Sequence, residues 1–251
     1  MDEFHGIDYL NIESHLTDDE RQVRDTVRQF VNSEAMSAVS ENFKEGTFPK
    51  HLITRMGELG IFGAHLEGYG CAGISSVAYG LIMQELERAD SGYRSFASVQ
   101  SSLAMTAIYL FETEGQRKSY LPDMAKGATL GCFALTEADH GSDPSGMATV
   151  VSDSGNGYVL NGSKMWITNA GISKIGIVWA YFEGAIRAFI VDMATEGVVV
   201  RNVKNKLSMR MSVTSEIHFN NVPLTDEALL PGTKGLGSAL ECLNSTKDLC
   251  L

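Results

Sequence analysis

Apolar residues recur at helical spacing along the first half of the chain and gather into short runs along the second. Thr17-Asp18-Asp19-Glu20 reads as a capping box, with acids in the first turn where the helix dipole favours them. Val23, Val27, Phe30 and Val31 then fall at i, i+4, i+7 and i+8, one apolar stripe. Pro49 opens a second helix carrying Leu52, Ile53, Met56 and Leu59, which Gly60 closes. A glycine-rich turn, Gly68 to Gly73, precedes a long helical stretch that is apolar on one side from Ser75 to Arg88. The pattern resumes from Ser95 to Phe111, and a short helix from Gln116 to Met124 ends at Lys126-Gly127.

After Gly127 the period changes. The runs LGCFALTE, ATVVSD, YVLNG, KMWITN, KIGIVWAYF, AIRAFIVDM, GVVVRNV and EIHFNNV alternate with turns rich in Gly, Asn, Asp and Ser. At least seven strands at this spacing predict a barrel or sandwich, and no βαβ alternation, G-x-G-x-x-G or phosphate loop is present. The expectation is an α+β chain: an N-terminal helical bundle (1–128), an antiparallel β-barrel-like domain (129–236) and a helical stub (237–251) that begins amphipathic and stops.

Composition narrows the function. Lys+Arg 20 against Asp+Glu 31 gives a net charge of −11, opposite in sign to the basic footprint of a nucleic-acid binder. Cys71, Cys132, Cys242 and Cys250 form no C-x-x-C or His/Cys cluster, so no metal site is expected and the thiols read as reduced. MDEFHGIDYL lacks the positive flank and apolar core of a signal peptide, and no apolar run approaches the roughly 20 residues that span a bilayer.

The stretch FALTEADHGSDPSGMAT carries the candidate chemistry. An apolar run ending at Leu135 gives way to Thr136, Glu137, Asp139, His140, Gly141, Ser142 and Asp143. A metal site, a phosphate cradle, a cofactor clamp and a plain turn all fit such a lip. A second element, Trp166-Ile-Thr-Asn169 after the turn Asn161-Gly-Ser163, offers an aromatic ring, a hydroxyl and backbone amides. Two such strands in one sheet can grip a planar heteroaromatic ring. Trp166 as an ordinary core residue is the alternative.

LTEADHGSDPSGMAT and YVLNGSKMWITNAG, in this order, resemble the flavin-binding signatures of the acyl-CoA dehydrogenases. From about Thr17 to about Asn244 the chain looks like that family's first two domains. The resemblance implies FAD as cofactor, with Phe133, Ala134, Leu135, Thr136, Gly141, Ser142, Trp166, Ile167 and Thr168 lining it. Thr136 and Thr168 would bond the isoalloxazine edge, and Ser142 would also touch the acyl-CoA. His140 is given no role.

A second constellation lies in ELERADSGYRSFASVQSSLAM. If this segment is helical, Glu87, Arg94 and Ser98, seven and four residues apart, lie within roughly 20° and 40° of one line. Arg suits bidentate carboxylate recognition. An Arg94–Glu87 pair or a solvated face would explain the spacing equally, and Gly92 could break the helix. GYGCAGISSVAYGL, ELERADSGYRS and SVQSSL resemble the glutaryl-CoA dehydrogenase branch of the family. That resemblance implies Arg94 and Ser98 at the distal carboxylate of glutaryl-CoA, Glu87 tuning Arg94, and Ser95 among the substrate-binding residues. It also implies oxidative decarboxylation to crotonyl-CoA, a place in lysine and tryptophan breakdown, and electron-transfer flavoprotein as acceptor. The compartment would be the cytoplasm of a bacterium or the mitochondrial matrix of a eukaryote. Another short-chain or dicarboxylyl acyl-CoA dehydrogenase, a non-catalytic interaction module and a partner chain that completes the enzyme are the competing readings.

The family's third domain, a C-terminal helical bundle, has no counterpart in the sequence. By the resemblance that domain carries the catalytic Glu, part of the FAD site and most of a homotetramer interface. No catalytic residue is therefore assigned, and the chain alone is expected to bind FAD weakly and not turn over. Arg210 stays unassigned between folding and a CoA contact, and the basic run Arg201 to Arg210 reads as a solvated edge, with a phosphate contact as the alternative.

Overall fold

The computed structural model describes residues 8–247. Eight α-helices are seen among the described residues: α1 (Asp18–Phe30), α2 (Met36–Glu45), α3 (Ile53–Glu58), α4 (Ser76–Ala89), α5 (Ser91–Ser98), α6 (Thr106–Phe111), α7 (Glu114–Ala125) and α8 (Leu236–Lys247). π-Helical turns at Val31–Ala35 and Val99–Met105 make α1–α2 and α5–α6 continuous rods. Cys250 and the end of the tail lie outside the described residues.

The Thr17 capping box is formed. Thr17 Oγ1 accepts from Glu20 N at 3.3 Å, and Thr17 N donates to Glu20 Oε2 at 2.9 Å. The second Glu20 oxygen accepts from Ser75 Oγ at 2.8 Å, and Ser75 itself caps α4. One sequence signal thus starts α1 and ties it to the start of α4.

The strands are β1 (Gly131–Ala134), β2 (Val150–Asp153), β3 (Tyr158–Thr168), β4 (Ile175–Phe182), β5 (Ala185–Asp192), β6 (Val198–Asn202) and β7 (Thr214–Leu224). They form one sheet in the order β1-β4-β2-β3-β7-β6, with β5 also on β4. Most pairings are antiparallel, as expected, but β1 and β2 each run parallel to β4. Eight apolar runs become seven strands because YVLNG and KMWITN fuse into β3. The expected turn at Asn161-Gly-Ser163 is a bulge within that strand, stitched to β7 by Asn221 N donating to Asn161 Oδ1 at 2.8 Å. Gly162, at φ 144°, sits where a β-carbon would lie 2.5 Å from Thr149 Oγ1.

β4 is buried on both faces, which explains its unbroken apolar run. Ile175, Ile177 and Trp179 face the core shared with the helices; Val178, Ala180 and Phe182 face the core inside the curled sheet. β1 and β2 occupy successive stretches of β4, at Gly131/Ile175 and Val150/Tyr181. The chain leaves β4 after Ala134, loops out as the polar lip, and returns at Val150. This topology places the lip beside β3.

Candidate functional site

The lip is built on a buried ion pair that the sequence reading missed. Lys164 Nζ lies 2.9 Å from Glu137 Oε1 and donates to Leu135 O at 3.0 Å, with Met147 Sδ at 3.8 Å. The Glu137 carboxylate also accepts from Ala148 N at 2.7 Å and Thr149 N at 3.0 Å. Both side chains are buried. Burial pushes Glu137 upward, but the hydrogen bonds from Thr149, Ala148 and Lys164 outweigh it and hold the group at about 2. Burial pushes Lys164 down to about 8, against the pull of Glu137. The two ends of the lip are thereby clasped from beneath. A lysine inside the run KMWITN was the available signal, since a buried cation on a strand requires a partner.

The lip's outer residues do different work. Asp143 Oδ1 accepts from Ser145 N at 3.2 Å, and Tyr181 Oη donates to Ser145 O at 2.7 Å. The His140 ring lies against Gly146, where a β-carbon would come within 2.6 Å of Nδ1. Ser142 is exposed and a β-carbon on Gly141 would meet open space. Thr136 is half-buried, and its carbonyl accepts from Met165 N at 2.9 Å, joining lip to β3.

β3 bulges again between Lys164 and Ile167. Trp166 there adopts φ 63°, a left-handed conformation rare for a bulky residue, and stands 57% exposed. Strain of this kind persists only where the surroundings enforce it, here a bulge that turns an aromatic ring out of the sheet. The core alternative for Trp166 is excluded by that exposure; Trp179 is the tryptophan of the core. Thr168 is half-buried. The hydroxyls of Thr136, Ser142 and Thr168 make no hydrogen bond among the described residues. Phe133, Ala134, Leu135 and Ile167 are buried and form the floor. Three unpaired hydroxyls, an open glycine and an outward-facing indole along two adjacent backbone segments suit a planar, polar-edged ring such as a flavin.

In the second constellation the helix breaks at Asp90, not Gly92. Asp90 is extended (φ −167°, ψ 140°) and its Oδ1 caps α5 by accepting from Gly92 N at 2.7 Å. Glu87 and Arg94 meet across the break, Arg94 Nε to Glu87 Oε2 at 2.8 Å, and Ser91 Oγ donates to the other Glu87 oxygen at 2.5 Å. Burial pushes Glu87 up, but Ser91 and Arg94 outweigh it and hold the carboxyl below its usual range. Arg94 is 30% exposed, and its two terminal nitrogens have no partner among the described residues. Ser98 is buried and its hydroxyl is likewise unpaired, whereas Ser95 Oγ faces Ser212 Oγ at 3.3 Å.

The two constellations are joined through buried amides. Asn169 Nδ2, directly after Thr168, donates to Phe96 O at 3.1 Å in α5. Gln100 Nε2 donates to Met124 O and Thr129 O at 3.1 and 3.0 Å, while its Oε1 accepts from Gly131 N at 2.8 Å. Two cations of the basic run turn inward, while Arg201 and Lys204 stay exposed. Lys206 and Arg210 bond backbone carbonyls, and Arg201 approaches Glu216 at 3.6 Å. The phosphate reading therefore loses two of the run's four cations, Lys206 and Arg210. Among the described residues no His/Cys/Asp/Glu group could hold a metal, and no helix is long and apolar enough to cross a membrane. Cys71 and Cys132 are free thiols.

Comparison with known proteins adds independent findings. The family model for the acyl-CoA dehydrogenase N-terminal domain matches residues 17–128, and that for the middle domain matches residues 132–222. An acyl-CoA dehydrogenase of Bacillus subtilis is 35% identical over 92% of the chain and 62% of its own length. The mitochondrial short-chain specific acyl-CoA dehydrogenase of Bos taurus is 32% identical over 91% and 56%. A glutaryl-CoA dehydrogenase of Mycobacterium smegmatis solved with FADH2 superposes at a TM-score of 0.93, with 45% identity over 95% of the chain and 62% of that protein. An acyl-CoA dehydrogenase of Bacillus anthracis solved with FAD superposes at 0.87, with 31% identity over 93% and 41%. The chain thus spans about three-fifths or less of these relatives. With both domain models matched in order, and the lip and bulge set beside each other as described, the chain belongs to the acyl-CoA dehydrogenase family.

Proposed function

We propose that the chain provides the FAD-binding and acyl-recognition portions of a glutaryl-CoA dehydrogenase. The observation that carries this reading is Arg94. A guanidinium held at Nε by Glu87, with both terminal nitrogens unpaired and the unpaired hydroxyl of buried Ser98 one helical turn away, matches a carboxylate at the end of an acyl chain. A monocarboxylic acyl chain has no use for that cation.

Thr136, Ser142 and Thr168 would bond the polar edge of FAD, and Trp166 would cover one face. Bound FAD supplies the two-electron acceptor for α,β-dehydrogenation of the thioester, with electrons passed on to electron-transfer flavoprotein. The site's own residues orient the reactants and stay out of the proton transfer. Glu137 is ionised, buried and bonded to Ala148, Thr149 and Lys164, so it is no base for an α-proton. Asp139 and Asp143 are exposed in the turn. Turnover by the 251 residues alone is therefore not expected.

The test is a titration of the purified chain with FAD, followed by anaerobic addition of glutaryl-CoA or butyryl-CoA. Expected are saturable flavin quenching, glutaryl-CoA affinity at least about tenfold above butyryl-CoA, and loss of that preference in Arg94→Met, about the 1.5–3 kcal/mol of a charge-assisted hydrogen bond. Equal affinity for both thioesters would favour a short-chain enzyme, as in the Bos taurus relative. Absence of any saturable flavin binding would leave the chain a non-catalytic interaction module.

A further inference from the structure

The loop 203–213 is held by two inward-turned cations. Lys206 Nζ donates to Met209 O at 2.8 Å, to Thr214 Oγ1 at 2.9 Å and to Ser212 O. Arg210 Nη1 donates to Lys206 O at 3.0 Å. Its Nε and Nη2 reach across to the last turn of α2, donating to Phe43 O and Lys44 O at 2.8 Å each. Its guanidinium also lies 5.8 Å from the Phe43 ring centroid. The final carbonyls of a helix lack intrahelical donors and carry the negative end of its dipole, so a guanidinium is well suited to this end. Asn205 and Met209 stand at φ 59° and 49°, strained conformations that the two cations hold in place.

The far side of the same loop packs on α5 at positions either side of Arg94. Met211 is buried against Gly92, where a β-carbon would lie 2.6 Å from Met211 Cβ. Ser212 meets Ser95. Val213 O accepts from Asn169 N at 2.8 Å, and Asn169 Nδ2 donates to Phe96 O. Gly92, Ser95 and Phe96 thus rest on one loop or on the asparagine it holds. That asparagine also ends the Trp166–Asn169 edge.

We propose that Arg210 is a positioning residue for acyl-chain discrimination. It latches the 203–213 loop to α2, and the loop fixes the α5 turn that aims Arg94. The inference rests on the reading of Arg94 as the carboxylate-binding group. A guanidinium must be held in register for bidentate contact, whereas a methyl-ended chain needs only an apolar wall. Loosening the latch should therefore weaken the dicarboxylic ligand selectively.

The test uses the full 251-residue chain as wild type, Arg210→Met and Arg210→Lys. Binding of glutaryl-CoA and butyryl-CoA to the FAD-loaded chain is measured beside amide hydrogen exchange. Arg210→Met is expected to weaken glutaryl-CoA about tenfold and butyryl-CoA less than about threefold. Exchange across residues 91–98 should rise at least about tenfold, with β4 and β5 unchanged. Arg210→Lys keeps the charge but has a single nitrogen in place of the Nε, Nη1 and Nη2 that span α2 and the loop, and should fall between; it carries the test if the methionine variant does not fold. Equal weakening of both thioesters, or unchanged exchange across 91–98, overturns the latch. A wild-type chain with no preference for glutaryl-CoA overturns the reading of Arg94 instead, and the exchange measurement then decides the latch by itself.

Discussion

Two carboxylate–cation pairs in this molecule have almost the same length and opposite character. Lys164–Glu137 closes at 2.9 Å with both side chains buried and the carboxylate bonded three ways. Arg94–Glu87 closes at 2.8 Å at the edge of a helix break, with the guanidinium part exposed and two nitrogens unpaired. Distance therefore does not distinguish a structural pair from a binding group. The count of partners does. A cation whose carboxylate and carbonyl partners surround it holds backbone in place, while one that keeps free donors in a partly dry setting can recognise a ligand.

The comparison breaks most sharply at Lys164. Lys164→Met leaves Glu137 buried without its counter-charge, and should destabilise the chain by roughly 3–5 kcal/mol in urea unfolding. A loss under about 1 kcal/mol would mean that the lip does not depend on the pair. Acid unfolding gives a smaller effect. Glu137 lies below its unfolded value, so its contribution is complete above about pH 4.5 and drains away as pH falls toward about 2. Stability followed from pH 6 to pH 2 should fall through that window, and Glu137→Gln should flatten the limb; parallel limbs would refute the assignment. The smallest effect belongs to the other pair. Glu87→Gln should change unfolding free energy by less than about 1 kcal/mol, because partly exposed pairs contribute little. A larger cost would make Arg94–Glu87 a structural pair after all.

The helical half was largely legible because its signals are local. The Thr17 capping box, the stripe from Val23 to Val31 and the Ser75-led helix need only neighbours in sequence. The helix break was misplaced by two residues. Gly92 drew attention by its propensity, but the extended Asp90 caps α5, and Gly92 is glycine because Met211 leaves no room for a side chain. In the sheet, Asn161-Gly162 has the composition of a turn, yet β7 runs alongside and turns it into a bulge. Lys164 in its apolar run signalled a need for a partner, but not which one, because Glu137 lies 27 residues away across the lip.

By itself the sequence determined the α-then-β order, the apolar faces, the two family words and the residue types at both constellations, since each depends on periodicity or on side-chain chemistry. Only the tertiary structure decided which polar groups are consumed and which remain available. The bulge and positive φ at Trp166, the inward turn of Lys206 and Arg210, and the free ends of Arg94 all depend on segments distant in sequence. A hydrogen-bond donor becomes a binding group only when no nearer acceptor takes it, and which acceptors are near is settled by packing.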